Sequence, residues 1–242
     1  MIFRRIILWL IVAATVAGVG AHAPNNETSV QKLRLEKFVL PDFPEFVRLA
    51  GNQKGVVTAA IGRDDEGRVT DVLILSSSHA LLTQSVVTAV KQWKFARPAN
   101  VTPPGSEIVP IIRFLFSSKG VAFVTALTGS LANKDREVKE NAPVIIPNFA
   151  ELDSIPKPVN HPMPRITGSM VGDGDGGTAT VKFFLDEIGR VRVPIVLECS
   201  TPELGRAAIA AVEQWTFEPP RAAGQPTIAL EIETFTFAKS KR

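Results

Sequence analysis

Gly67-Arg68-Val69 and Trp93-Lys94-Phe95 recur in the second half of the chain as Gly189-Arg190-Val191 and Trp215-Thr216-Phe217. In each copy 26 residues separate the glycine from the tryptophan, and the copies are offset by 122. The same offset carries Gly55 onto Gly177, Asp64 onto Asp186, Gln92 onto Gln214 and Pro98 onto Pro220. Agreement at one register over so many positions reads as an internal duplication, so the chain is expected to hold two small domains of one design.

The repeated positions also say what each unit is. Leu82, Val86, Ala89, Val90 and Trp93 fall on Leu204, Ala208, Ala211, Val212 and Trp215. Their i, i+4, i+7, i+8, i+11 spacing is the apolar stripe of an amphipathic helix. Thr201-Pro202-Glu203 opens the second helix with a hydroxyl cap, a proline in the first turn and an acid facing the dipole. In the first copy Ser77 or Ser78 is expected to cap. Ahead of each helix lie two β-branched runs, 55–61 with 69–75 and 179–185 with 191–197, each pair joined by an Asp-and-Gly turn. A third extended run follows each helix, at 108–116 and 227–237. The expected fold is α+β: two tandem domains, each a three-stranded antiparallel sheet in the order β-β-α-β, with a helix packed on one face.

The boundaries expected are 1–21 for an export segment, 38–127 for the first domain, 128–160 for a linker and 161–238 for the second domain. Arg4 and Arg5 precede an uncharged apolar run from Ile6 to Ala21. That is the pattern of a secretory signal, and a retained membrane anchor is the other reading. The linker assignment rests on a charged stretch at 133–140 followed by a proline-rich one.

With these residues in view, the sequence resembles the TonB C-terminal domain family. The first copy carries Pro41-Asp42-Phe43-Pro44, Gly55-Val56-Val57, Asp65-Glu66-Gly67-Arg68-Val69, Ser76-Ser77-Ser78 and Trp93-Lys94-Phe95-Ala96-Arg97-Pro98-Ala99. The second carries Asp186-Glu187-Ile188-Gly189-Arg190-Val191 and Trp215-Thr216-Phe217-Glu218-Pro219-Pro220, with Pro162-Met163-Pro164 where the entry aromatic would stand. The resemblance implies a non-enzymatic, periplasmic protein-interaction module. In that family a short extended segment of an outer-membrane, TonB-dependent receptor adds as a strand to the domain's last strand. The chain departs from the family's energy transducers in its doubled domain and its short spacer. A structural or homodimeric envelope protein that uses the fold without energy transduction is the alternative reading.

Strand addition needs an open sheet edge. Pro110 in the first unit's last run belongs on an edge, and the strand-like stretch 121–127 is expected to fold back over it. In the second unit the Pro-free run Thr227, Ile228, Ala229, Leu230, Glu231, Ile232, Glu233 and Thr234 is expected to be the free edge and the partner site.

Other chemistry finds no support in the residues. Net charge is only +3 with no basic stripe, which argues against nucleic-acid binding. His22, His79 and His161 are the only histidines, and none stands at ligand spacing from another. Asp173-Gly174-Asp175-Gly176-Gly177 looks like a calcium loop but has Thr178 and Phe184 where Gly and Glu would be needed. Ser76-Ser77-Ser78 has no base at a known spacing. Asn26-Glu27-Thr28 and Asn100-Val101-Thr102 match the glycosylation pattern only for a eukaryotic secretory route. The lone Cys199 reads as a small core residue. No catalytic residue, metal or cofactor is expected.

Overall fold

The structure, a computed structural model, describes residues 34–49, 54–96, 109–117, 120–127, 146–167, 170 and 176–238. The export segment 1–21, the calcium-like loop from Asp173 to Asp175, both glycosylation patterns and the charged stretch 133–140 lie outside these residues.

The first unit runs β1 (Leu35–Lys37), α1 (Glu45–Leu49), β2 (Lys54–Arg63), β3 (Val69–Ser77), α2 (Ala80–Val90), β4 (Lys94–Phe95), β5 (Pro110–Ser117) and β6 (Gly120–Leu127). The second runs β7 (Pro158–Asn160), β8 (Gly176–Leu185), β9 (Val191–Cys199), α3 (Pro202–Val212), β10 (Thr216–Phe217), a tight hairpin of β11 (Arg221–Ala222) with β12 (Gln225–Pro226), and β13 (Ala229–Ala238). The sheets are ordered β3-β2-β5-β6 and β13-β8-β9, and the strand pairs within both are antiparallel. The fold is α+β as the pattern predicts. The first sheet has four strands rather than three, because β6 pairs along the whole of β5.

The spaced Gly…Trp-x-Phe motif is a physical contact. Gly67 and Gly189 hold φ of 78° and 81°, a left-handed conformation that costs any other residue. Each carbonyl accepts from the amide of the motif's phenylalanine, Phe95 N–H to Gly67 O and Phe217 N–H to Gly189 O, both at 2.8 Å. A Cβ on either glycine would run into that phenylalanine's backbone carbonyl. Asp64 Oδ1 and Asp186 Oδ1 close the turns by accepting from the amides of Arg68 at 2.8 Å and Arg190 at 2.9 Å. The tryptophan side chains then tie the strand-entry segments down, Trp93 Nε1 donating to Val39 O at 2.7 Å and Trp215 Nε1 to Pro162 O at 2.8 Å.

Two local expectations change. The cap of α2 is His79, whose Nδ1 accepts from Leu81 N at 3.1 Å. Ser78 is engaged elsewhere: its Oγ accepts from Val56 N at 3.0 Å, as Ser200 Oγ does from Thr178 N at 2.9 Å. These serines staple the last residues of the hairpin to its first strand and are therefore not free to cap. Thr201 does cap α3, accepting from Leu204 N at 3.3 Å.

Within the range expected to be linker, residues 146–160 pack on the second unit. Asn148 and Glu151 form a reciprocal capping box on a short turn, and Phe149 stacks edge-on against Phe217 at 5.8 Å. Asp153 accepts from the amides of Ala223 at 2.8 Å and Gly224 at 2.7 Å, and β7 pairs with β10. Proline here marks extended, hydrogen-bonded chain, so composition alone misread it. In the first unit β1 pairs with β4 in the same way, ahead of the boundary at residue 38.

The helices cover one face of each sheet. Leu82, Val86 and Val90 pack with Val57, Ala59, Ile61 and Phe114; Leu204, Ala208 and Val212 pack with Val181, Phe183 and Phe235. The opposite sheet faces pack on each other through Ala60, Leu73, Ile111, Phe184, Val193 and Ile195. The layers thus run helix, sheet, sheet, helix, with the inter-sheet face of β13 exposed from Ile232 onward. At the contact Arg192 Nε donates to Asp71 Oδ2 at 2.8 Å, and Val193 N–H donates to the same oxygen at 3.3 Å. Asp71 and Val193 are equivalent positions of the two copies under the 122-residue offset.

Candidate functional site: the outer edge of the last strand

β13 ends its sheet, with β8 on one side. It spans Ala229–Ala238, so the predicted Thr227 and Ile228 precede it. Thr227 N–H instead bonds Pro220 O at 3.0 Å, closing the β11–β12 hairpin, and Ile228 packs in the layer between the sheets. Glu231, Ile232, Glu233 and Thr234 lie in the strand, and Phe235 and Phe237 extend it by anchoring in the core under α3.

Which amides face outward follows from one bond. Leu230 N–H donates away from β8, to Pro147 O at 2.9 Å, and Asn148 bridges Leu230 in parallel orientation. The β13–β8 register has no slip, so backbone groups alternate strictly along it. Ile232, Thr234, Thr236 and Ala238 therefore point their N–H and C=O groups outward, while Glu231, Glu233, Phe235 and Phe237 bond β8. Thr180 Oγ1 and Thr234 Oγ1 lie 3.0 Å apart, as expected for the closer, non-hydrogen-bonded pairs. Among the described residues no strand pairs with this outer edge beyond Leu230. The expectation of an open edge over Thr227–Thr234 is thus corrected at its start, where Pro147 fills the Leu230 position; neither Pro147 nor Asn148 carried any sequence signal of that role.

Two titratable groups flank the edge. Burial holds the Glu231 carboxyl above the usual range, opposed by the amides of Ile232 and Phe149 and aided by nearby Glu233. Burial likewise lowers the Lys182 ammonium, which stands on the rung between Ile195 and Ile232. Raised in the folded state, the Glu231 pKa gives a stability contribution that is present below about pH 4.5 and lost as pH rises through the folded value. Glu231→Gln removes this dependence, so the variant should be the more stable protein at pH 7 and the two should converge near pH 4. Urea titrations at both pH values check it; a wild type more stable than the variant at pH 7 refutes it.

A cleft of about 1100 Å³ lies between the first hairpin turn and the β9–α3 surface. Its charged groups largely neutralise one another, Asp64 and Glu66 against Arg68, Asp71 against Arg192 and Glu203 against Arg206. Cys199 borders it with a thiol pushed up by burial, the opposite of what nucleophilic chemistry needs.

The family model described as Gram-negative bacterial TonB protein C-terminal matches residues 172–238. Residues 172–238 therefore resemble a TonB C-terminal domain. The matched span begins ahead of β8 and includes β9, α3 and all of β13. The chain is also similar to the solution NMR structure of Pseudomonas aeruginosa TonB CTD, at 27% identity over 37% of this chain and 92% of that chain, with a TM-score of 0.32. No curated protein matches it significantly. TonB C-terminal domains are non-enzymatic, protein-interacting domains of envelope transport, and the family is periplasmic.

Proposed function

We propose that the chain is a periplasmic interaction module whose second unit, the TonB C-terminal domain, binds an extended segment of an outer-membrane receptor by strand addition to β13. The observation that supports this reading is the row of outward amides at Thr234, Thr236 and Ala238, for which no described residue supplies an acceptor. An added strand gains main-chain hydrogen bonds there with little demand on side-chain identity. We further propose that the first unit, residues 34–127, is a copy of the same domain in which β6 occupies the equivalent edge. It therefore stabilises the tandem instead of taking a partner. The unit's export by residues 1–21, as cleaved signal or retained anchor, belongs to the same reading.

Thr234→Pro tests it. The Thr234 amide faces away from β8, so proline removes a backbone donor to a partner and none to β8, and within the fold it drops the hydroxyl contact with Thr180. The variant should unfold within a few degrees of the wild type and bind a receptor segment about tenfold more weakly, the value of roughly one lost hydrogen bond. Affinity capture from outer-membrane fractions, wild type against variant, is the measurement. Equal recovery by both, or self-association alone, rejects strand addition at β13.

A further inference from the structure

Edges that pair with partners are usually open along their length, and this one is not. Four contacts fix residues 146–149 beside the start of β13. Pro147 O accepts the Leu230 amide, and Ile146 lies in the apolar layer between the sheets. The Phe149 ring seats on Phe217, and the Glu231 carboxyl lies against the amides of Phe149 and Ile232. The turn is also self-braced: Asn148 Oδ1 accepts from Ala150 N at 2.9 Å and Asn148 N donates to Glu151 Oε2 at 2.9 Å. After its one parallel bridge the chain turns away through Phe149–Glu151 and never reaches the Thr234 rung.

We propose that Pro147–Phe149, together with Glu231, is a fixed stop that sets the register of strand addition and confines it to Thr234–Ala238. The inference rests on strand addition as the binding mode and adds its register and length: about five residues paired, read from the Thr234 rung onward. A partner strand that continues from the Thr234 rung toward Leu230 does not fit, since it would run into the 147–149 turn. The stop also prevents a partner from slipping by two residues toward Leu230, the error to which exposed edges are prone.

Amide hydrogen exchange by NMR on the full chain tests this, with peptides selected from a displayed random ten-residue library as probes. In the free protein Leu230 should be protected, while Thr234, Thr236 and Ala238 exchange at least tenfold faster than Phe235 and Phe237. Bound peptide should protect Thr234, Thr236 and Ala238 and leave Ala150, whose amide reports the intact turn, unchanged. Loss of Ala150 protection on binding, with Ile232 newly covered, would show a displaceable plug and overturn the stop. Phe149→Ala, or the milder Asn148→Ala, should speed Leu230 exchange and let the peptide footprint extend to Leu230. A footprint unchanged in both variants also overturns it. Peptides that leave all three outward amides unprotected, or a library with no Thr234-dependent binder, defeat strand addition itself.

Discussion

Trp215→Ala should cost the second unit about 3–5 kcal/mol, the range for emptying a buried aromatic site. Trp215 is 2% exposed and sits among aromatic residues of β8, β10 and β13. Its ring lies 3.7 Å from the His161 ring, 5.5 Å from Phe235, 6.0 Å from Phe183 and 6.1 Å from Phe217, and its N–H ties down Pro162. Alanine removes the packing of α3 on the sheet and the anchor that orients Phe235, so the outer edge of β13 should loosen with it. Trp215→Phe separates the two contributions, keeping most of the ring while dropping the bond to Pro162, for a cost of about 1–2 kcal/mol. Denaturant titration followed by circular dichroism measures both. A Trp215→Ala cost below 1 kcal/mol would show that the aromatic cluster is not what holds the unit.

The second large effect is at the contact between the units. Asp71→Ala should destabilise by about 2 kcal/mol, below the 3–5 kcal/mol of a fully buried pair because both side chains are 28% exposed. The substitution removes the acceptor of Arg192 Nε and leaves the guanidinium with Asp186 at 3.5 Å and the Val72 carbonyl at 3.2 Å. It also releases the Val193 amide, and Val193 holds φ of 47°, a conformation that β-branched residues avoid. The strained backbone and the half-buried cation thus share one carboxylate. Arg192→Met in the Asp71→Ala background should therefore recover part of the loss, because a cation without its partner is worse than none. A double-mutant cycle measures the coupling; strict additivity of the two changes would show that the pair does not act as a unit.

Much of the fold was legible because each repeated residue does a local job. Gly67 and Gly189 had to be glycine for a turn that also touches Phe95 and Phe217, and the helix stripes point where their spacing says. Pro110 is the first residue of β5, which β6 covers, so it marks where that strand begins and not the edge of the sheet. The stacking of the two sheets was missed, although the run Val56-Val57-Thr58-Ala59-Ala60-Ile61 held the signal. A strand half in water alternates, whereas this one is apolar on both faces and so needed a second cover. The short strands Leu35–Lys37 and Pro158–Asn160 have no periodicity to read at three residues each. The stop on β13 lay hidden because a backbone carbonyl makes its central bond, and any residue before Asn148 would supply one.

If the two units are copies of one domain, as proposed, the meeting of Asp71 with Val193 sets a condition on how they could close. Where a repeat packs against its own duplicate about a twofold axis, identical halves would set the residue on that axis against itself. Two aspartates at that spot would repel, and two valines would leave both an amide and an arginine without an acceptor. Different residues on the two sides of this contact remove both problems at once. Once different they recognise one another by mismatch, so the pairing of the halves favours partners on one chain over twin copies from two chains.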